Sequence, residues 1–304
     1  MNILVSGSSG LIGSSLVHRL TAEHHAVTRL VRHPTPGTSH VSWDPGAGSI
    51  DLPGLDRGGP FDAAVHLAGA GIGDKRWSPA RKRVILESRV ESTRLLSDSL
   101  VALSSPPPVL VSASAVGFYG IRGDEELTES SSPGTDFLAG VCRSWEQATA
   151  PASAGGIRTV LVRTGVVLSP AGGALGKQLP LFRLGLGGPM GSGAQYRSWI
   201  TLDDEISVIL HCMADHGLSG PVNATAPVPA TDRELADAVG AALHRPTMVR
   251  VPAAVLRVVL GTEMAEELVL GGQRVRPAAL TARGFAFAHT DLGDAVASVL
   301  SPSP

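Results

Sequence analysis

Three glycines at three-residue spacing, Gly7, Gly10 and Gly13, stand near the start of the chain. Ile3, Leu4 and Val5 precede them, an apolar run suited to a short buried strand from Asn2 to Ser6. Leu11, Ile12, Leu16, Val17 and Leu20 follow, on one stripe of a helix. A strand, a glycine turn and a helix are the first half of a nucleotide-binding βαβ unit. In such a unit Gly7 permits the tight turn, Gly10 lets backbone approach a diphosphate, and Gly13 lets the helix pack close to the strand. The backbone of Ser9, Gly10, Leu11, Ile12 and Gly13 would hold the diphosphate at the helix N-terminus. The alternative is an ordinary tight turn.

Further candidates lie where later strands end. Ala26 to Val31 reads as a second strand, with Arg32 just beyond it. A site selective for NAD carries an acidic residue near this point to hold the ribose 2′-hydroxyl. No Asp or Glu stands between Glu23 and Asp44. Arg32, with Arg29 and His33 nearby, suits a 2′-phosphate and hence NADP, unless it belongs to a solvated basic loop. Ala63 to Leu67 reads as a strand running into Ala68-Gly69-Ala70-Gly71. Leu67, Ala68 and Gly69 are expected to line the cofactor's path, with His66 as a satisfied core histidine. Ser112 ends a strand that starts at Val109 and is a cofactor contact. Ser114 could hydrogen-bond a substrate oxygen, or cap backbone as a turn serine. Tyr119 is the candidate acid, a phenol with an ordinary pKa of about 10, or else an aromatic pocket wall. Cys142 is a cofactor contact or a buried structural thiol. Lys75 could approach substrate or stand solvated.

The elements that position these residues alternate. A third strand spans Val41 to Trp43, and a turn-rich stretch runs from Asp44 to Gly59. Ser78 and Pro79 open a helix reaching about Ala102, as N-cap and first-turn residue. A helix follows from Asp136 to about Ala150, then a strand from Thr159 to Arg163. Gly172 to Gly193 reads as loop and short helix over a ligand cleft. Val249 to Pro252 reads as a short strand, and Ala253 to Leu270 as a helix interrupted at Gly261. Phe285 to Ala288 precedes a terminal helix, and Ser301 to Pro304 is a frayed tail. The βαβαβ alternation predicts an α/β fold: a Rossmann-type, doubly wound parallel sheet over residues 1–165, which later segments could complete. Residues 166–304 would form mainly a smaller substrate domain.

Composition bounds the function. The 304 residues are 43% hydrophobic and carry a formal charge of −2. That charge gives no reason to expect nucleic acid or an anionic membrane as partner. Cys142 and Cys212, the two cysteines, make neither a disulfide framework nor a zinc spacing. No secretory signal and no apolar run long enough for a membrane span is read. The expectation is a cytoplasmic monomer or homodimer acting on a small molecule.

Taken together, GSSGLIG at 7–13, HLAGAGI at 66–72 and SASAVGFYG at 112–120 resemble the extended short-chain dehydrogenase/reductases. Lys75-Arg76-Trp77, the segment from Phe137 to Glu146, GLGGPMGSGAQYRSWI at 185–200 and GQRVRPAALTARGFAF at 272–287 resemble one atypical, epimerase-like branch of that family. The resemblance covers nearly the whole chain. It implies a Rossmann domain with NADP, a C-terminal extension and no particular substrate; Trp199 and Asp203 would be structural. One departure stands out. Typical members carry a Tyr-x-x-x-Lys pair on one helix face, where the lysine lowers the phenol pKa and holds the ribose. Here Gly123 follows Tyr119 by four residues and Ile200 follows Tyr196, while the expected helix offers Phe137 and Val141. Two readings stand: an NADP-dependent oxidoreductase or epimerase using Ser114 and Tyr119, or a catalytically degenerate NADP-binding regulator or interaction protein.

Overall fold

The computed structural model describes residues 1–35 and 38–301; residues 302–304 of the tail expected to fray lie outside the described residues. Eight strands form the central sheet: β1 (Asn2–Ser6), β2 (Ala26–Val31), β3 (His40–Asp44), β4 (Ser49–Ile50), β5 (Ala63–His66), β6 (Val109–Ala115), β7 (Arg158–Thr164) and β8 (Gly220–Ala224). Their spatial order is β8-β7-β6-β5-β1-β2-β3-β4. Only the β3–β4 pair is antiparallel. The chain steps outward from β1 to β4, then returns to place β5 on the other side of β1. The crevice beyond the carboxyl ends of β1 and β5 is therefore the switch point where open α/β sheets bind ligands.

Both faces of the sheet are covered, so β1 can be apolar at consecutive positions. Ile3, Val5, Val65, Val111, Val160 and Val162 pack beneath α1 (Leu11–Ala22) and α7 (Leu202–Ala214). Leu4, Ala64 and Leu110 face the opposite way, against Leu96 and Leu100 of α3 (Pro79–Val101). Ser78 caps α3 by accepting the Arg81 N–H at 3.2 Å. Asp136 caps α4 (Phe137–Gln147) by accepting the Ala139 N–H at 2.9 Å.

The second half wraps the sheet. Val166–Leu168 pairs in parallel with Trp199–Thr201. A buried ion pair, Arg197 to Asp232 at 2.9 Å, sits at the start of a helix over Asp232–Leu243. The same guanidinium donates to the carbonyls of Gly271 and Val269, which ties in the C-terminal segment. The helix over Leu292–Leu300 packs Ala295 and Val296 into one apolar cluster with Ala236 and Val239 of the Asp232–Leu243 helix.

Several segments differ from expectation. The stretch from Asp44 to Gly59 holds β4 and a short helix, Leu52–Gly58, because Asp51 caps it and Leu55 is buried. Val249 to Pro252 is not a strand; Val251 makes a single bridge to Met190. Gly173–Arg183 is a full helix of 11 residues. Gly261, at φ +90, does break the helix after Leu260. β8 was not expected, since Gly220 and Pro221 open it, yet it closes one edge of the sheet. Among the described residues, no helix is long and apolar enough to cross a membrane.

Candidate active site

The glycine turn separates into packing and opening. Gly7, at φ +69, touches the next strand so closely that a Cβ would lie 2.5 Å from the Leu67 carbonyl carbon. A Cβ at Gly13 would lie 2.2 Å from the Gly7 oxygen. Both glycines are demanded by the fold itself. Gly10 is different: a Cβ there meets nothing closer than 3.4 Å, and the residue is exposed. The protein leaves that space open. Gly10 is also the N-cap of α1, with no side chain capping the helix and no acidic residue in its first turn. Free N–H groups and a helix dipole thus stand at this exposed turn, an arrangement that favours an anion. Ser9 is exposed, and Leu11 and Ile12 are partly so.

Arg32 stands exposed at the carboxyl end of β2. Leu30 pairs with Ser6, so Arg32 lies beside the glycine turn. Leu67 and Ala68 are half-buried on the other flank, and Gly69 is exposed. Across the gap, the carbonyl of Gly73 and the Asp74 carboxylate accept from Lys177 Nζ at 3.1 and 3.2 Å. A Cβ at Gly173 would lie 3.6 Å from the Leu11 side chain. The helix over Gly173–Arg183 therefore lies against α1 and the loop after β5.

His66 and Ser112 belong to the sheet interior. His66 Nδ1 meets Ser6 Oγ at 2.7 Å and Nε2 meets Thr93 Oγ1 at 2.9 Å. Burial pulls the imidazole pKa down to about 3, so it is neutral. Ser112 has no exposed surface.

Ser114 and Tyr119 are brought together, but inside a sealed network. Ser114, Arg163 and Asn223 are in register on β6, β7 and β8. Ser114 donates to Glu146 Oε1 at 2.7 Å. Arg163 grips both Glu146 oxygens, at 2.8 and 2.9 Å. It also donates to the Tyr119 hydroxyl at 3.0 Å and lies over the Phe118 ring at 3.4 Å. Tyr119 donates in turn to Asn223 Oδ1 at 2.7 Å. The phenol is 0% exposed, and burial, opposed by Arg163, raises its pKa. A hydroxyl that is fully engaged and raised in this way does not face a crevice as a proton donor does. Sequence spacing missed this because the partners sit on two separate strands and on α4.

On α4 the positions of the missing pair are apolar. Phe137 packs edge-on against Trp77, ring centroids 5.0 Å apart, and Lys82 Nζ lies 4.3 Å from its centroid. Lys82 in turn pairs with Glu263 at 2.6 Å. Glu267 accepts the Phe137 and Leu138 N–H groups at 3.3 and 2.9 Å, and burial holds its carboxyl above the usual range. Val141 is buried. Cys142 is a buried free thiol, pushed up to about 12 by burial and the Glu146 carboxylate. Lys75 stays exposed.

Residues 3–224 match the model of the NAD dependent epimerase/dehydratase family, and residues 251–299 match a domain of unknown function (DUF1731). An epimerase family protein of Mycobacterium bovis is 44% identical over 97% of this chain and 96% of its own length. The human epimerase family protein SDR39U1 is 37% identical over 99% of this chain and 100% of its own length. A crystal structure of that human protein (isoform 2) with NADPH superposes with a TM-score of 0.89 at 35% identity, covering 98% of this chain and 99% of the other.

Proposed function

Because the chain belongs to the NAD dependent epimerase/dehydratase family, we propose that it binds NADP(H) and transfers hydride to or from a small carbonyl or hydroxyl compound. The observation that carries this reading is the uncapped α1 N-terminus at Gly10, flanked by Arg32 where an NAD-selective site has an acid. The human relative crystallised with NADPH supports it. Gly10, Leu11 and Ile12 would hold the diphosphate, and Arg32 the 2′-phosphate. Bound NADPH would supply the hydride. With Tyr119 and Ser114 committed to the Arg163–Glu146 network, the balancing proton comes from water. Residues 166–304 contribute mainly to substrate binding, in a monomer or homodimer. A cytoplasmic location belongs to the same reading, supported by two buried free thiols that a reducing compartment keeps reduced.

The competing reading is a degenerate NADP(H)-binding protein. Phe137 and Val141 favour it, since neither transfers a proton. Two measurements separate the possibilities. In a titration, NADPH should bind more tightly than NADH. Arg32→Ala should weaken NADPH about 10- to 100-fold, the loss of a charge-assisted hydrogen bond, with little effect on NADH. Equal loss for both would remove Arg32 from the site. NADPH oxidation across a panel of small aldehydes and ketones then tests catalysis: tight binding with no turnover on any member favours the degenerate reading.

A further inference from the structure

One face of the second half of the chain is apolar where water would favour polar side chains. Residues 184–190 and 246–251 run side by side. Gly185 lies against Pro246, Gly188 against the Thr247 and Val249 carbonyls, and Met190 bridges to Val251 in parallel. These two segments present Leu184, Leu186, Met248 and Val249, all exposed. Leu181 joins them from the end of the helix over Gly173–Arg183. Just past the bridge, the helix over Ala253–Leu260 has no buried residue, and Arg257 is its one polar side chain. Ala253, Leu256 and Leu260 are partly covered, while Val255, Val258 and Val259 form an outward stripe. A solvated helix carries its polar residues on that side.

Met248 is 91% exposed, Val258 74%, Leu184 71% and Val259 65%. Side chains so far out of the surface stand as prongs and do not line a groove. Exposed apolar surface on this scale marks a contact with a partner or a membrane. The charges around it select between them. Arg183, Arg245 and Arg250 are exposed and have no carboxylate within ion-pair distance among the described residues; Arg245 and Arg250 donate Nε to the carbonyls of Arg183 and Gly191. Arg257 is paired with Glu266, and the exposed Asp237 accepts from Thr247 Oγ1 at 2.7 Å. The local surplus is positive, although the whole chain carries −2. A second copy would set these arginines against themselves. A folded partner takes its anchoring side chains into matching pockets. A bilayer needs no matching shape: apolar prongs enter the acyl boundary while arginines meet anionic headgroups.

We propose that this face docks the protein on an anionic lipid bilayer. Leu184, Met248, Val258 and Val259 enter the boundary between headgroups and acyl chains, and Arg183, Arg245 and Arg250 lie on the lipid phosphates. The chain rests on the membrane; no described helix is long and apolar enough to cross it. The cytoplasmic leaflet is the anionic one, which agrees with the location proposed above.

Sedimentation of the full chain with vesicles tests this. The wild-type chain is expected to bind equimolar phosphatidylglycerol–phosphatidylcholine vesicles about 10-fold or more tightly than phosphatidylcholine alone, and to release them as salt rises. Val258→Asp and Met248→Asp should each weaken binding about 10-fold or more. Arg183→Ala should weaken it about fivefold, the loss of one charge at an anionic surface, and Arg183→Lys should stay near wild type. Melting temperature and NADPH affinity should be unchanged in all four, since each side chain is exposed. Equal binding to both vesicle types, or aspartate variants that bind like wild type, would overturn the proposal. Binding to neither vesicle would also overturn it and leave the face to a protein partner. So would a wild-type dimer, seen by light scattering, that Val258→Asp separates.

Discussion

At the residue scale, Tyr119 is the sharpest case. Its hydroxyl is donor to Asn223 and acceptor from Arg163, so its removal leaves the buried Asn223 Oδ1 without a donor and takes one acceptor from Arg163. Tyr119→Phe is expected to cost about 1–3 kcal/mol of stability, read by urea denaturation, with NADPH affinity unchanged. A fall of 100-fold or more in turnover at wild-type stability would show the phenol to be a proton donor after all. Sequence spacing made the glycine turn and Arg32 visible because their chemistry is local: a residue type beside a strand end. The Ser114–Arg163–Asn223 rung was invisible, because only the strand order brings those three side chains into line.

At the element scale, the glycine turn joins two demands in one short segment. Gly13 serves the packing of α1 on the Gly7 backbone, while Gly10 serves an opening. The two should separate by mutation. Gly13→Ala would place a methyl 2.2 Å from the Gly7 oxygen, so α1 must shift, costing about 1–3 kcal/mol. Gly10→Val has room in the protein and should melt near the wild-type temperature while losing NADPH binding. A thermally normal Gly10→Val variant with intact NADPH affinity would refute the role given to the turn. The same segment explains which elements could be read in advance. Helices α3 and α4 announce themselves through Ser78-Pro79 and Asp136, whose caps are present. β8 carries no such mark. Its strand character comes from pairing with β7, and its Gly-Pro start argues locally for a turn.

At the scale of the whole molecule, two buried groups bend the pH dependence of stability in opposite directions. His66 titrates at about 3 in the folded chain against an ordinary 6.5. Below 6.5 the unfolded chain takes up a proton that the folded chain refuses, so stability falls as the pH drops. Glu205, on α7, accepts from Thr164 Oγ1 at 2.8 Å, and its Oε2 has no partner among the described residues. Burial raises its carboxyl from 4.5 to about 8. Between those values the folded chain keeps a proton that the unfolded chain loses, so stability falls as the pH rises, and the loss is complete above about 8. Above 6.5 only the Glu205 contribution remains of the two. Glu205→Gln should therefore flatten the decline between about pH 6.5 and pH 8.5, measured by urea denaturation at each. Parallel declines in variant and wild type would mean that Glu205 is not the source.

The late arrival of β8 has a consequence for the nascent chain on the ribosome. β7 ends at Thr164 and its outer neighbour at Ala224, about 60 residues later. At about 5–20 residues per second, translation leaves the outer edge of β7 unpaired for roughly 3–12 s. During that interval the edge is a bare row of backbone donors and acceptors flanked by Val160 and Val162, the kind of template on which neighbouring chains of a polysome can pair. Arg163 also waits, without Asn223 behind Tyr119 to complete its network. Chaperone demand during synthesis should thus be concentrated in one window of translation, after the nucleotide crevice has been made and before the strand that closes the sheet has left the exit tunnel.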